Sequence, residues 1–528
     1  MTDVIIVGGG PVGLLLACEL KLGGADPLVL EAATGEERRT RSLGLRSLNA
    51  RTVQSLALRD LVEPVAGEQW AMLDELAGRR EPAGADLVAM MVELLREGLI
   101  RGHFGGLPLL GEAGDAEYLM LKQDRLEAVL AERAAAMGVR IWQGCAVSDV
   151  AQDESAAVAT LADGRTVRAA YLVGCDGGRS LVRKRSGFAF EGTPATMTGR
   201  TAVAELASAD ALTSSLRHPG GLVNLSLVPG EIATIEFDGG PGDRDAPMTA
   251  EELEDSLRRV TGHDVVVKRL ETGIRYSDNT RHAGTYRKGR VLLAGDAAHV
   301  HSPIGGQGLN LGLQDAVNLG WKLALVARGL APEALLDTYT AERHPVAARV
   351  LRNTRAQVAL MRPGPQVEAL REVLAEVIEL PDAKRHFTGM ADGTEADYAP
   401  GSAHPLVGRF APRLEAVPEP TPAKARTVAE LLRDGRGLVL TLSGALSEGG
   451  RGDGGLGEGG LGDDGRGEGG LDAAVAGHRD RVRVAHADVP NDGDAEVLLV
   501  RPDGYVAWAG GRDGVAAALT AWFGPPRG

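Results

Sequence analysis

The chain has 528 residues, 44% hydrophobic and 24% charged, the composition of a soluble globular protein with room for several cores. Its net charge of −15 argues against nucleic acid or an anionic membrane as the main partner. Cys18, Cys145 and Cys175 form no C-x-x-C pair and no metal-ligand cluster, and no apolar run reaches spanning length. A first strand near residue 4 leaves no room for a signal peptide, so a cytoplasmic protein without bound metal is expected.

In chain order, Val4-Ile5-Ile6-Val7 predicts a buried strand, and Gly8, Gly10 and Gly13 then give the spacing G-x-G-x-x-G. Pro11 and Val12 lie inside that turn, and Leu14 to Leu22 continues it as an apolar helix. The first glycine permits the tight turn, the second lets backbone approach a pyrophosphate, and the third lets helix and strand pack. Free N–H groups at the helix start attract phosphate charge. A second strand, Leu28-Val29-Leu30, ends in Glu31, eighteen residues past Gly13 and placed to accept a hydrogen bond from a ribose hydroxyl.

Arg38 to Arg51 reads as a loop leading into a helix, followed by a charged, mixed region to about residue 120. Gln123 to Met137 carries a helical stripe (Leu126, Val129, Leu130, Met137) closed by Gly138. Ile141 to Ala159 predicts strands, with Asp163-Gly164 as a hairpin turn, and Val147 there is a candidate backbone contact for adenine. Tyr171 to Gly177 is a buried strand with a glycine-rich end. From about 185 to 280, alternating stretches such as Leu222 to Val228 and Ile232 to Phe237 predict a sheet without dinucleotide signals. Leu222, Leu225 and Leu227 are candidates for a pocket wall there, with plain core packing as the alternative.

A buried strand, Arg290 to Leu293, ends in Ala294-Gly295-Asp296, and a long helix runs from about Leu309 to Arg328. Asp296, at a strand's carboxyl end, stands where open sheets hold ligands. Pro303 to Asn310 is a glycine-rich loop feeding a helix start, whose N–H groups and dipole face a developing anion. Beyond residue 400, Pro405, Pro412, Pro418, Pro420 and Pro422 mark a linker before a small α/β pattern. Glu448 to Gly470 alternates glycine with acids and is expected to be a disordered surface loop.

Cys175-Asp176-Gly177-Gly178-Arg179-Ser180 with Arg183 resembles the D-G motif of FAD-dependent aromatic hydroxylases. Gly295-Asp296-Ala297-Ala298-His299 with Pro303, Gly305, Gly306, Gly308, Leu309 and Asn310 resembles their second flavin fingerprint. With the N-terminal clamp, these make the triple signature of single-component flavoprotein monooxygenases. Around Gly295 to Leu323 and Tyr339 to Pro345 the chain is most similar to polyketide and rifampicin-type hydroxylases of actinomycetes.

The resemblance implies a discontinuous Rossmann-like FAD-binding domain over 1–180 and 281–400, part of the substrate region near 75–120, and a substrate sheet over 181–280. It also implies a thioredoxin-like α/β domain over 401–528, which has no cysteine pair and is expected to be structural or to support a homo-oligomer. It assigns FAD contacts to Arg41 and Gln123 near the diphosphate and to Asp296 at the ribityl hydroxyls. It links Asp176, Arg179 and Arg183 to FAD or NAD(P)H, with a structural salt bridge as the alternative. His299 is not put forward as a base, and no catalytic side chain is assigned.

The expected activity is hydroxylation of a phenolic or heteroaromatic ring with FAD, O2 and NAD(P)H as transient reductant. By resemblance, oxygen adds at flavin C4a and the terminal peroxide oxygen goes to the ring. No second strand–glycine-turn–helix clamp is present, which fits a transient reductant. Baeyer–Villiger insertion, antibiotic inactivation and a non-catalytic flavin-bearing binder remain as alternatives. The absence of W-x-W-x-I-P argues against a halogenase, and H-E-x-x-H, G-x-S-x-G and a phosphate loop are also missing.

Overall fold

The computed structural model describes residues 2–34, 43–78, 85–111, 118–207, 212, 217–225, 228, 230–244, 246–419, 423–443, 468–488 and 495–527. A six-stranded sheet organises the first part of the chain. Its order is Arg287–Lys288, Val291–Leu293, Tyr171–Gly174, Val4–Val7, Pro27–Leu30, Arg140–Trp142. All neighbours are parallel except Arg287–Lys288. Val4–Val7 is central and buried on both faces, which is why it reads as an unbroken apolar run.

The register brings distant motifs together. Val7 pairs with both Leu30 and Gly174, and Gly174 with Leu293. Three chains therefore leave the sheet at one edge, carrying Gly8 to Gly13, Cys175 to Gly178, and Gly295-Asp296. This is the carboxyl-end crevice where open α/β sheets bind ligands. Helix Pro11–Leu22 packs on helix Gln307–Ala327 at close range: a Cβ on Gly320 would lie 2.2 Å from the Glu19 side chain.

A five-stranded antiparallel sheet is inserted between Tyr171–Gly174 and Val291–Leu293. Its order is Arg217–His218, Gly221–Leu225, Glu231–Glu236, Thr198–Leu206, Val267–Ser277. The all-sheet expectation for 185–280 needs correction, because helix Ala250–Thr261 covers one face. Its signals were local: Thr249 caps Glu252 N, Leu253, Leu257 and Val260 are buried, and Gly262 ends it in the left-handed region.

The opposite face of that sheet carries Leu222, and it joins Met197, Ile304, Val358 and Met361 in one apolar cluster backed by Ile235, Phe237 and Tyr276. Leu225 lies in the strand Gly221–Leu225; its side chain, and Leu227, lie outside the described residues.

The loop expected over 38–51 contains a strand, Leu45–Leu48, paired antiparallel with Leu119–Lys122, before helix Ala50–Ala57. The C-terminal sheet is mixed: Gly437–Ser443 is parallel to Val482–Asp488, while Val497–Val500 and Val506–Gly510 run antiparallel. Helices Glu468–Ala476 and Val515–Phe523 flank it, so this part of the chain is α/β. Residues 468–470, expected to belong to a disordered loop, instead open helix Glu468–Ala476, which anchors through buried Leu471 and Val475. Residues 448–467 lie outside the described residues. Among the described residues no helix is long and apolar enough to cross a membrane.

Candidate functional site

The glycines of the first turn are required by distance. A Cβ on Gly13 would lie 2.0 Å from Gly8 O, and one on Gly8, at φ +105°, would lie 2.3 Å from Cys175 O. Gly10 differs: nothing lies within 4 Å of a Cβ there, so its surface is open to a ligand. It N-caps helix Pro11–Leu22, with Pro11 as first residue and no side-chain cap taking the free N–H groups. Val12 packs toward the second fingerprint, its methyls 3.1 Å from a Cβ position on Gly295 and 2.7 Å from one on Gly312.

Glu31 turns its carboxylate back to this turn, accepting Gly9 N at 2.7 Å and Ala33 N at 2.7 Å. Its backbone joins the next segment, Glu31 N donating to Trp142 O and Cys145 N to Glu31 O. Val147 follows on strand Val147–Gln152, half-buried. Gln123 opens helix Gln123–Ala136, donates to Glu127 and accepts from Arg46 Nε at 3.4 Å. Arg41 lies outside the described residues.

The D-G segment is held by internal bonds. Asp176 accepts Ser180 Oγ at 2.5 Å and the N–H groups of Leu181 and Val182 at 2.7 and 3.0 Å, so its carboxylate closes the start of helix Leu181–Arg185. Arg183 donates to Ala297 O at 2.9 Å and Gly178 O at 2.8 Å, tying this segment to the second fingerprint. Those are carbonyl contacts rather than the salt bridge considered from the sequence.

Gly295, at φ +63°, donates its N–H to Asp315 Oδ2 at 3.1 Å. Asp296 follows with its side chain exposed, and no described residue hydrogen-bonds its carboxyl. Protein nevertheless surrounds it: desolvation raises its pKa, while His299 and Arg46 pull it down. It is a carboxyl waiting in a cleft for hydrogen-bond donors. Asp315, fully buried, also accepts His299 Nε2 at 2.7 Å and Arg343 Nε at 2.8 Å. His299 is thus a packing and orienting residue for this turn.

The loop Pro303 to Asn310 brings Gly305 and Gly306 into the left-handed region, and Gly306 caps helix Gln307–Ala327. Pro303 is exposed and Leu309 partly so. A Cβ on Gly306 would lie 2.3 Å from Ser47 Oγ, and one on Gly308 3.4 Å from His301 Nε2. Asn310 spends its side chain on protein, donating to Ser47 O and Gly306 O at 2.8 Å and accepting Asn49 N at 2.9 Å. It therefore clamps the loop to strand Leu45–Leu48.

Reading from sequence missed Arg46. Burial lowers its pKa against the fields of Glu231, Tyr276 and Asp296, so it stands where the crevice meets the inserted sheet. The arginine-rich 38–51 stretch was a signal, but nothing local singles out Arg46.

FAD fits this site. The turn at Gly10 is open, Asp296 lacks donors, and the buried acceptors His301 Nε2 and Gln307 Oε1 have no partner among the described residues. An adenine dinucleotide with a ribityl chain and an imide edge carries the donors and the diphosphate that such a cradle takes.

Asp392 lies behind the loop, at the end of helix Pro381–Asp392, whose Met390 O accepts Gln307 Nε2. Burial pushes its carboxyl up from 3.8 to about 6, and Arg101 pulls it back. A raised folded-state pKa means stability is fully present below 3.8 and lost as pH rises through about 6. Asp392→Asn is therefore expected to unfold later than wild type at pH 8 by about 2–3 kcal/mol and to match it near pH 4, by thermal melts across that range. Melting differences that do not change with pH would contradict this.

Comparison with known proteins gives the same picture. The family model for the FAD binding domain matches residues 1–354, and that for the aromatic-ring hydroxylase C-terminal domain matches 457–526. The chain is 38% identical over 535 residues to a rifampicin monooxygenase of Streptomyces venezuelae, covering 99% of each. It superposes on the solved OxyS anhydrotetracycline hydroxylase of Streptomyces rimosus with TM-score 0.79 at 36% identity, covering 99% of both chains. CabE, an aromatic hydroxylase from angucycline biosynthesis, gives TM-score 0.78 at 35% identity, with both chains fully covered. Motifs, register and full-length similarity agree that this chain belongs to the FAD-dependent aromatic hydroxylases, the single-component flavoprotein monooxygenases.

Proposed function

We propose that this FAD-dependent monooxygenase hydroxylates a phenolic or heteroaromatic ring of a polycyclic, polyketide-type natural product, drawing electrons from NAD(P)H. One observation bears on the substrate class: Met197, Leu222, Val358 and Met361 pack against Ile304 of the flavin loop, so the inserted sheet turns an apolar face toward that loop, in keeping with a flat apolar ring system. The similar proteins, by their names, act on rifampicin and anhydrotetracycline or serve angucycline biosynthesis, all in keeping with such a ligand.

Bound FAD supplies electron transfer from NAD(P)H and the activation of O2. The chain's own groups have other tasks. Gly10 and Gly13 would offer free N–H groups to the diphosphate at the start of helix Pro11–Leu22, with Gly8 and Pro11 shaping that turn, while Glu31 would take the adenosine ribose and Val147 the adenine by backbone. Gln123 and Arg41 serve the diphosphate region, and Asp296 the ribityl hydroxyls. Gly305, Gly308 and Leu309 would present N–H groups and the positive helix end to negative charge on the ring, with Gly306, whose N–H donates to Pro303 O, turning the loop into the helix. Val12, Asp176, Gly295 and Asn310 hold these segments in place, and the apolar face keeps water from the reacting oxygen. We also read the enzyme as cytoplasmic, its three cysteines being unpaired thiols.

The test is aromatic-ligand-dependent NAD(P)H oxidation with mass spectrometry of the product. A gain of one oxygen as a new ring hydroxyl is expected. A lactone or ester would replace hydroxylation by Baeyer–Villiger insertion, and no oxidation with any aromatic ligand would leave a flavin-bearing binder.

A further inference from the structure

Three parts of the chain meet at the carboxyl end of helix Asp337–Met361. The first is the hairpin of strands Ile100–Phe104 and Leu107–Leu110, which turns through Gly105 and Gly106, both at positive φ. Its tip rests on the helix: a Cβ on Gly105 would lie 2.9 Å from Leu360 Cβ, and one on Gly106 3.2 Å from Met361 Sδ. Arg371, from helix Pro365–Ile378, donates to Gly105 O and, at 3.1 Å, to Leu360 O. The second part is the edge of the inserted sheet, whose Arg217 Nη1 reaches the same Leu360 carbonyl at 2.9 Å. The third is the flavin loop, whose Ile304 packs with Val358 and Met361.

Gln357 lies one turn before that end and is buried. Its Oε1 accepts Gly105 N at 3.1 Å. Its Nε2 and Oε1 also lie 2.7 and 2.8 Å from where a Cβ on Gly305 would stand, so the amide fills the space that a side chain at 305 would need. Glycine is therefore required there twice, by that contact and by φ +89°. A glutamine serving the hairpin alone needs only the Gly105 bond, but here the flavin loop closes on the same amide. We infer that Gln357 is a positioning residue for the flavin: anchored to the hairpin tip, its amide sets where the loop stands at Gly305. The inference rests on the reading of Pro303 to Asn310 as the loop facing the flavin ring, and deepens it. Asn310 fixes the far end of that loop to strand Leu45–Leu48, and Gln357 fixes its near end to the hairpin. A cradle supported at both ends is what holds a reacting ring to within about 0.5 Å.

The experiment uses the FAD-loaded full chain, read by hydrogen exchange with mass spectrometry and by the visible circular dichroism of the bound flavin. Gln357→Met keeps length and bulk but loses the hydrogen bond and the planar face. Exchange is expected to rise about tenfold in peptides covering 100–106 and 303–310 together, the worth of one buried hydrogen bond. Peptides covering 497–510 should stay at wild-type rates, and the flavin dichroism should change shape at unchanged FAD content. Gln357→Glu, which keeps an acceptor and a planar head, should restore part of the protection in both peptides. Faster exchange in the hairpin alone, with wild-type dichroism, overturns the inference and leaves Gln357 as a hairpin anchor. A rise that extends to 497–510 overturns it as a loss of global stability, and no rise in either peptide overturns it as well. If the Met variant does not fold, Gly305→Ala makes the test from the loop side. Its methyl must displace the amide, so exchange over 100–106 should rise, and unchanged exchange there overturns the assignment. The hydroxylase reading fails separately, through a wild-type protein that takes up no FAD or oxidises no NAD(P)H with any aromatic ligand.

Discussion

Arg501→Met is expected to lower the urea midpoint by the equivalent of about 3–5 kcal/mol and to expose the C-terminal domain to limited proteolysis. Arg501 is buried, donates to both Glu342 oxygens at 2.7 and 2.9 Å, and pairs with Asp503. Trp522, Trp321, Tyr398 and Tyr505 surround its guanidinium within 5.0–5.7 Å. Burial alone would raise the Glu342 pKa, but Arg501 and Lys322 overrule it and hold it at about 2. Lys322 in turn reaches Glu342 at 2.8 Å from helix Gln307–Ala327.

The network therefore bolts the last domain to both long helices of the FAD domain. Methionine fills space but leaves Glu342 and Asp503 buried with too little positive charge. The next residue, Arg343, holds Asp315 and through it the Gly295 turn, so FAD affinity should fall as well. An unchanged midpoint would mean the C-terminal domain is attached by its apolar contacts alone.

Asp296→Ala is expected to weaken FAD binding about 10- to 100-fold, so that the protein is purified largely colourless, because a carboxylate–hydroxyl bond in an enclosed cleft is charge-assisted. Asp176→Ala provides the contrast. Its carboxylate closes the start of helix Leu181–Arg185, so about 1–2 kcal/mol of stability should go while FAD stays. Flavin absorbance after dialysis reads both variants. Full flavin retention in Asp296→Ala would remove the ribityl assignment, and flavin loss in Asp176→Ala would restore a direct role for the D-G carboxylate.

The parts of the site legible in the sequence are those whose requirement is local. Gly8 and Gly13 are needed because a Cβ would strike backbone atoms 2.0–2.3 Å away, and Glu31 and Asp296 each sit at the end of a buried strand. Asp176 and Asn310 look like ligand residues in a motif, yet their polar atoms are engaged by neighbouring protein groups. Helix Ala250–Thr261 had its cap and its apolar stripe in plain view but was absorbed into a sheet-rich stretch.

Spacing of glycines, strand-end acids and apolar runs was enough for the sequence by itself to determine the nucleotide clamp, since backbone geometry and strand period act over a few residues, and the resemblance of its motifs to those of FAD-dependent aromatic hydroxylases supplied the family and the coenzyme. Tertiary structure alone decided that Arg46 stands where the crevice meets the inserted sheet, and how Arg501 and Glu342, 159 positions apart, come to share one buried charge network. Those outcomes depend on what burial removes from water and which charge is then nearest, and no stretch of sequence carries that information until the sheets have set the distances.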